Sequence, residues 1–302
     1  MPQQIAQPTT RDSALTKIHE RAAARRRARL ELPPAVAAFL TDAATAEACL
    51  EMAEGLARVI RRNMAAVHVG TDPVLLHNVS AEEVDLQLYR ELQEGTARQR
   101  AELVEAEFNH WKGSVPERDR IPWTDCPGEI GECMRGASEG IELIVLSHPG
   151  NLDGSDALHY ALFYSGKLVG IAPPARSRQE ILDHVVVGWK PHDNAYSTVT
   201  AAKPWLRAAG KVSVVCVNDR ADRSYERTAR RLFQSLAIPC EIHSVASGQA
   251  SVGQYLLDMA GTMEASCLMI GAYHHGPLLE LVLGRVTRHV LSHASLPLIM
   301  KH

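Results

Sequence analysis

The chain has 302 residues, enough for one large domain or two ordinary ones. Hydrophobic residues make up 46% and aromatics only 5%, so a core has to be built mainly from Ala, Val, Leu and Ile. A formal charge of −3 argues against a nucleic-acid-binding surface, no apolar run approaches the length of a membrane span, and the polar N-terminus lacks a secretory apolar region. The six cysteines, Cys49, Cys126, Cys133, Cys216, Cys240 and Cys267, are scattered without the close pairs of a zinc site. Several lie in or beside apolar runs, so the expectation is buried free thiols in a cytoplasmic protein.

Residues 1–34 form a basic extension in which Arg21, Arg25, Arg26, Arg27 and Arg29 sit among alanines, ended by Pro33-Pro34. It reads either as a solvated tail or as an arm for an acidic partner. From Ala35 the chain alternates. A strand at 35–40 and Thr41-Asp42 lead into a helix over 43–62, then a strand over 64–69. Ser80, with Glu83 at the capping-box position, opens a long amphipathic helix predicted over 81–108. A short strand at 120–123, a helix over 127–137, a strand at 143–146, a helix near 155–164 and a strand at 168–172 complete a first half, 35–174.

After a linker at 173–178 the same order begins again, in a second half spanning 181–302. Strands are predicted at 184–188, 212–217, 239–243 and 267–270, with helices over 194–209, 222–236 and 247–260. The repeat is direct in several places. Ala66-Val67-His68-Val69 answers Val214-Val215-Cys216-Val217, and Leu143-Ile144-Val145-Leu146 answers Cys267-Leu268-Met269-Ile270. Lys167 to Ile171 answers Leu296 to Met300. Phe39 to Asp42 is set against Val187 to Lys190, and Arg120 to Trp123 against Ala237 to Cys240. Alternating strands and helices imply parallel sheets covered on both faces.

The end of the chain carries the most specific signal. An apolar run stops at Gly271, a loop follows, a helix-period segment spans 277–293, and Leu296 to Met300 is a last strand. A glycine loop entering a helix presents backbone N–H groups and the positive helix end to an anion. This stretch resembles the C-terminal signature of the universal stress proteins. In them, glycines at fixed spacing and a following small residue hold the phosphates and ribose of ATP. Gly271 and Gly284 match two of the glycines. His274 stands in place of another, and Arg285 in place of the small residue. Val286 to Leu291 and Leu296-Pro297-Leu298 resemble the family ending almost residue for residue.

The resemblance implies an α/β fold with two tandem five-stranded parallel-sheet domains of the adenine nucleotide alpha hydrolase-like type. It also implies an internal pseudo-dimer, with the strands near 168–172 and 296–300 facing each other and covering two open edges. The function it implies is a stress-response protein that works by binding rather than catalysis; the alternative is an ATP-binding regulatory module using the second half. The candidate nucleotide residues are Gly271, His274, His275, Gly284, Arg285 and Thr287, with Lys190 and Asp42 in the two halves at the place of the family's aspartate after the first strand. The first half lacks the glycine loop.

No catalytic residue is expected, since there is no G-x-S-x-G elbow and Ser147-His148 is a bare dipeptide. His289 and His293 share a helix face without the intervening carboxylate of a hydrolytic zinc helix, so no metal site is expected either. The partner protein and any homodimer are left open by the sequence.

Overall fold

The computed structural model describes residues 33–77, 80–174, 180–217, 223–246, 251–272 and 284–302. The basic stretch at 1–32, the side chain of Glu83, most of the linker, and His274 and His275 lie outside the described residues.

The first half runs β1 (Pro34–Leu40), α1 (Ala43–Val59), β2 (Asn63–Gly70), α2 (Ala81–Glu94), α3 (Ala97–Gly113), β3 (Trp123–Pro127), α4 (Ile130–Ala137), β4 (Leu143–Ser147), α5 (Leu152–Phe163) and β5 (Leu168–Ala172). The second runs β6 (His184–Trp189), α6 (Asp193–Ala201), α7 (Lys203–Ala208), β7 (Lys211–Val217), α8 (Ser224–Ser235), β8 (Glu241–Val245), α9 (Val252–Thr262), β9 (Cys267–Gly271), α10 (Arg285–His293) and β10 (Leu298–Lys301).

Two predicted helices are each broken in two. The segment 81–108 divides at Gly95, whose φ of +87° continues no right-handed helix. Thr96 then starts α3 with a full capping box to Gln99. The segment 194–209 divides at Ala202, ahead of Pro204 in the first turn of α7. The strand predicted at 120–123 falls at 123–127, because Pro116–Arg120 is a 3₁₀ turn.

The strands form one ten-stranded sheet in the order β3-β2-β1-β4-β5-β10-β9-β6-β7-β8. All pairings within each half are parallel, and β5 meets β10 antiparallel, with Ile299 opposite Gly170, Leu298 opposite Ile171 and Met300 opposite Val169. The pairing expected between the two halves is therefore present, and it fuses their sheets into one. In the repeat, Val169 is equivalent to Leu298 and Gly170 to Ile299. The seam is thus a self-complementary pairing with the Gly170–Ile299 pair on its pseudo-twofold axis.

The register also corrects the repeat. Val36 pairs with Leu143 and Met64, and Val185 pairs with Cys267 and Val212. Val36 thus answers Val185, so Thr41 answers Lys190 and Asp42 answers Pro191, one residue from the sequence alignment. Burial agrees: Val36, Ala38 and Leu40 face the same core as Val185, Val187 and Trp189. A slip of one residue would turn each of them to the opposite face. At β3 the register sets Trp123 against Ile242 rather than Cys240.

Each face of the sheet is covered across both halves. On one, Leu50 and Leu56 of α1, Phe108 and Trp111 of α3, Trp205 of α7 and Phe233 of α8 pack over the strands. On the other, Ile130 and Met134 of α4, Ala157 and Ala161 of α5, Leu256 of α9 and Val290 of α10 do so. The halves are tied beyond the seam as well. The Trp205 indole N–H donates to Leu56 O at 3.0 Å, and His148 Nε2 lies 2.7 Å from Leu291 O.

The cysteines depart from expectation in one respect. Cys126 and Cys133 form a disulfide joining the end of β3 to α4, while Cys49, Cys216, Cys240 and Cys267 are free thiols. This removes part of the thiol argument for a reducing compartment. Burial pushes the Cys216 and Cys267 thiols up to about 12, and Cys49 upward as well.

Two outcomes are expected. Truncating Trp205 to Ala should destabilise the chain by about 3–5 kcal/mol, in a single unfolding transition followed by circular dichroism; Trp205→Phe, which keeps the packing and loses the bond to Leu56, should cost about 1 kcal/mol. Alkylation of the urea-unfolded, unreduced protein should label the four free thiols and leave Cys126 and Cys133 to be labelled only after reduction.

Candidate functional site

In an open parallel sheet, ligands sit beyond the carboxyl ends of the strands, where the strand order reverses. Here that point falls between β1 and β4 in the first half and between β6 and β9 in the second. Gly271 ends β9, Lys190 follows β6 on the adjacent strand, and Gly284, Arg285 and Thr287 open α10. The structure thus brings Gly271 and Lys190 to the second crevice, with the chain re-entering at Gly284. His274 and His275 lie outside the described residues.

The glycines have local causes. A Cβ on Gly271 would come within 2.9 Å of the Ala195 nitrogen and 3.0 Å of the Asn194 carbonyl carbon. These are backbone atoms of α6 that cannot swing aside, so a close approach of helix to strand requires glycine here. Asn194 ties the same point from its side chain, donating to Ala272 O at 2.5 Å. Gly284 is the N-cap of α10 with φ −55°, a conformation open to other residues. Arg285 is exposed in the first turn of that helix, Thr287 is fully buried, and no acidic residue occupies the first turn. Cations at the positive end of a helix are unfavourable unless an anion joins them.

The first crevice has a different construction. The β4–α5 connection is residues 148–151, against 272–284 in the second half. The short loop lies directly on the β1–α1 turn: Asn151 Nδ2 donates to Thr41 O at 3.0 Å, and a Cβ on Gly154 would meet Thr41 Oγ1 at 3.2 Å. Asp42, a candidate nucleotide residue from the sequence, is instead the N-cap of α1. Its Oδ1 accepts from the Thr45 backbone at 3.0 Å and its Oδ2 from the Thr45 hydroxyl at 2.8 Å. Its register position removes it from the equivalence with Lys190.

An ion pair missed by sequence reasoning seals this side. Asp153, 1% exposed in the first turn of α5, accepts from the Thr71 N–H at 3.2 Å and faces Arg90 Nη1 of α2 at 2.7 Å. Arg90 Nε reaches Glu94 at 2.6 Å, and Arg100 of α3 donates to Thr71 O at 3.0 Å. The positive end of α5 is therefore already met by a carboxylate of the chain itself. The signal lay in the extra length between β2 and β3, an amphipathic insertion that supplies two buried arginines.

His289 and His293 do share a helix face, with rings stacked 4.2 Å apart. His289 Nε2 lies 3.0 Å from Gln254 Oε1, and His293 Nδ1 lies 2.9 Å from His289 O. Among the described residues, no group of three or more His, Cys, Asp or Glu side chains is placed to hold a metal. No described helix is long and apolar enough to cross a membrane.

No protein-family profile matches the sequence, and no curated protein does. Solved structures do match in fold. A universal stress protein from Archaeoglobus fulgidus DSM 4304 aligns with a TM-score of 0.57 at 14% identity, over 88% of this chain and 95% of that one. A universal stress protein, so described provisionally, from Pseudomonas aeruginosa UCBPP-PA14 aligns at 0.55 with 11% identity, over 91% and 94%. A functionally unknown protein from Pseudomonas aeruginosa PAO1 aligns at 0.54 with 11% identity over the same shares. The sheet order, its central seam and these alignments along most of both chains agree: the chain has the universal stress protein fold, twice in one polypeptide.

Proposed function

We propose that this protein acts in a stress response by binding rather than catalysis, with the second-half crevice as its ligand site and the first half as a closed scaffold. The observation that carries this reading is the asymmetry of the two crevices. One is filled by Asn151, Thr41 and the Arg90–Asp153 pair. The other is flanked by Gly271 and Lys190, and residues 272–284 connect β9 to α10, which opens with Arg285. An adenine nucleotide is the ligand class that the resemblance implies. The cations Lys190, just after β6, and Arg285, in the first turn of α10, favour an anionic ligand. His274 and Arg285 replace small residues of the nucleotide pattern, so ATP binding in the wild type is weak, and no hydrolysis follows from these groups.

The test is to restore the loop. The double variant H274G/R285G should bind magnesium–ATP at least tenfold more tightly than the wild type by calorimetry, and ATP at a hundred times its dissociation constant should add about 2.7 kcal/mol of stability. No gain in affinity would refute the assignment of the loop. Asp42→Ala should leave ATP affinity unchanged while costing about 1 kcal/mol of stability, as loss of a helix cap does; a drop in ATP affinity would return Asp42 to the site. Gly271→Ala should lower stability by about 1–3 kcal/mol with no nucleotide present, because its clash is with α6 backbone; this is read by denaturant unfolding of the apo protein.

A further inference from the structure

Away from both crevices, a cleft of about 310 Å³ opens along the flank of α5, between α2 and the start of α4. Gln87 of α2, Glu129 and Gly131 at the head of α4, and Asp156, His159, Tyr160 and Tyr164 on and just past α5 line it. Three observations define what it can hold.

Gln87 is 8% exposed, and its Oε1 is buried without a hydrogen-bond partner among the described residues. An unpaired buried acceptor costs about 1–3 kcal/mol, so a group that donates to it is favoured. The lining carries two carboxylates, Glu129 and Asp156, of which Asp156 already has a partner within the chain, and among the described residues no Lys or Arg lines the cleft. The positive end of α4, which would otherwise invite an anion, is already answered, because Glu129 accepts from the Gly131 N–H at 3.2 Å. The remaining wall is aromatic. Tyr160 and Tyr164 lie with ring centroids 5.9 Å apart, His159 is 5.7 Å from Tyr164, and the Tyr160 ring packs against Gly131. Aromatic faces attract cations and flat rings. The Cys126–Cys133 bridge spans the segment that carries Glu129, so this wall is held in place covalently.

We propose that this cleft is a binding site for a small, flat, donor-rich organic cation of the aromatic amine or amidine class. The ring stacks on the tyrosines, an N–H group donates to the Gln87 side-chain carbonyl once that amide turns toward the cleft, and the charge is balanced by Glu129. Its volume lies at the lower end of those that enclose small ligands. The site uses the later turns of α5 rather than its N-terminus, so it is separate from the anion crevice considered above.

Benzamidine is the probe, and benzoate, of the same shape and opposite charge, is its control. With the disulfide intact, benzamidine should give saturable binding by ligand-observed NMR and calorimetry, and benzoate should bind at least tenfold more weakly. Glu129→Gln keeps an acceptor for Gly131 but removes the charge; it should weaken benzamidine about fivefold and reduce the salt dependence of binding. Gln87→Leu should weaken it by a similar factor in a protein whose unfolding midpoint is unchanged or raised. Equal binding of benzoate, no saturable benzamidine binding, or benzamidine affinity indifferent to both variants would each overturn the proposal.

Discussion

The antiparallel pairing of β5 with β10 is the constraint on which the rest of the structure depends. A five-stranded parallel sheet ending in Leu168–Ala172 or in Leu298–Lys301 exposes an apolar edge with a full row of unpaired backbone groups. Joining the two edges removes both at once. In the observed register Gly170 stands opposite Ile299 on the axis, and a Cβ there would come within 2.9 Å of the Met52 side chain. Because the sheets become one, each face acquires one continuous hydrophobic layer, and α1 of one half can pack against α7 of the other through Trp205 and Leu56.

Two copies of one topology then diverge in two places, the length of chain between the fourth strand and the last helix and the insertion between β2 and β3. Residues 148–151 are too few to form a cradle, and the first turn of α5 falls against Thr41. The insertion at α2 and α3 completes the closure by sending Arg90 and Arg100 inward. A buried ion pair of this kind adds little net stability, since desolvation offsets much of the attraction. Its consequence is geometric: it ties α2 to the first turn of α5.

Much of this was legible in the sequence. Strand runs such as Leu143–Leu146 and Cys267–Ile270 are short and continuously apolar, and they fell where expected because buried parallel strands admit little else. The seam was expected from the family resemblance, and the repeat at 167–171 and 296–300 located the two strands. What was not legible has specific causes. Gly95 inside a helical period carries no mark that distinguishes a tolerated glycine from a break. Apolar strands buried on both faces, like β1, hold no alternation to set the register, so Asp42 was placed one residue out. Cys126 and Cys133 bracket a turn whose geometry, not its spacing, brings their sulfurs together. Arg90 drew no notice because its partner Asp153 lies far along the chain, and Arg100 because its acceptors are the backbone oxygens of Gly95 and Thr71.

The proposed reading of the first half as a closed scaffold does not make it dispensable. Its β5 is what covers β10, and its α1 carbonyl at Leu56 is what receives the Trp205 indole. Selection on such a half acts through packing and edge protection, both of which tolerate any loop that does not disturb β4 or α5. Contacts to a ligand are then free to drift, whereas Phe39, Leu50, Ile144 and Val169, all fully buried, are not. A duplicated fold with a shared sheet therefore has a physical reason to retain a copy that no longer binds at its original site, and the surface released by that change is where a new cleft can form.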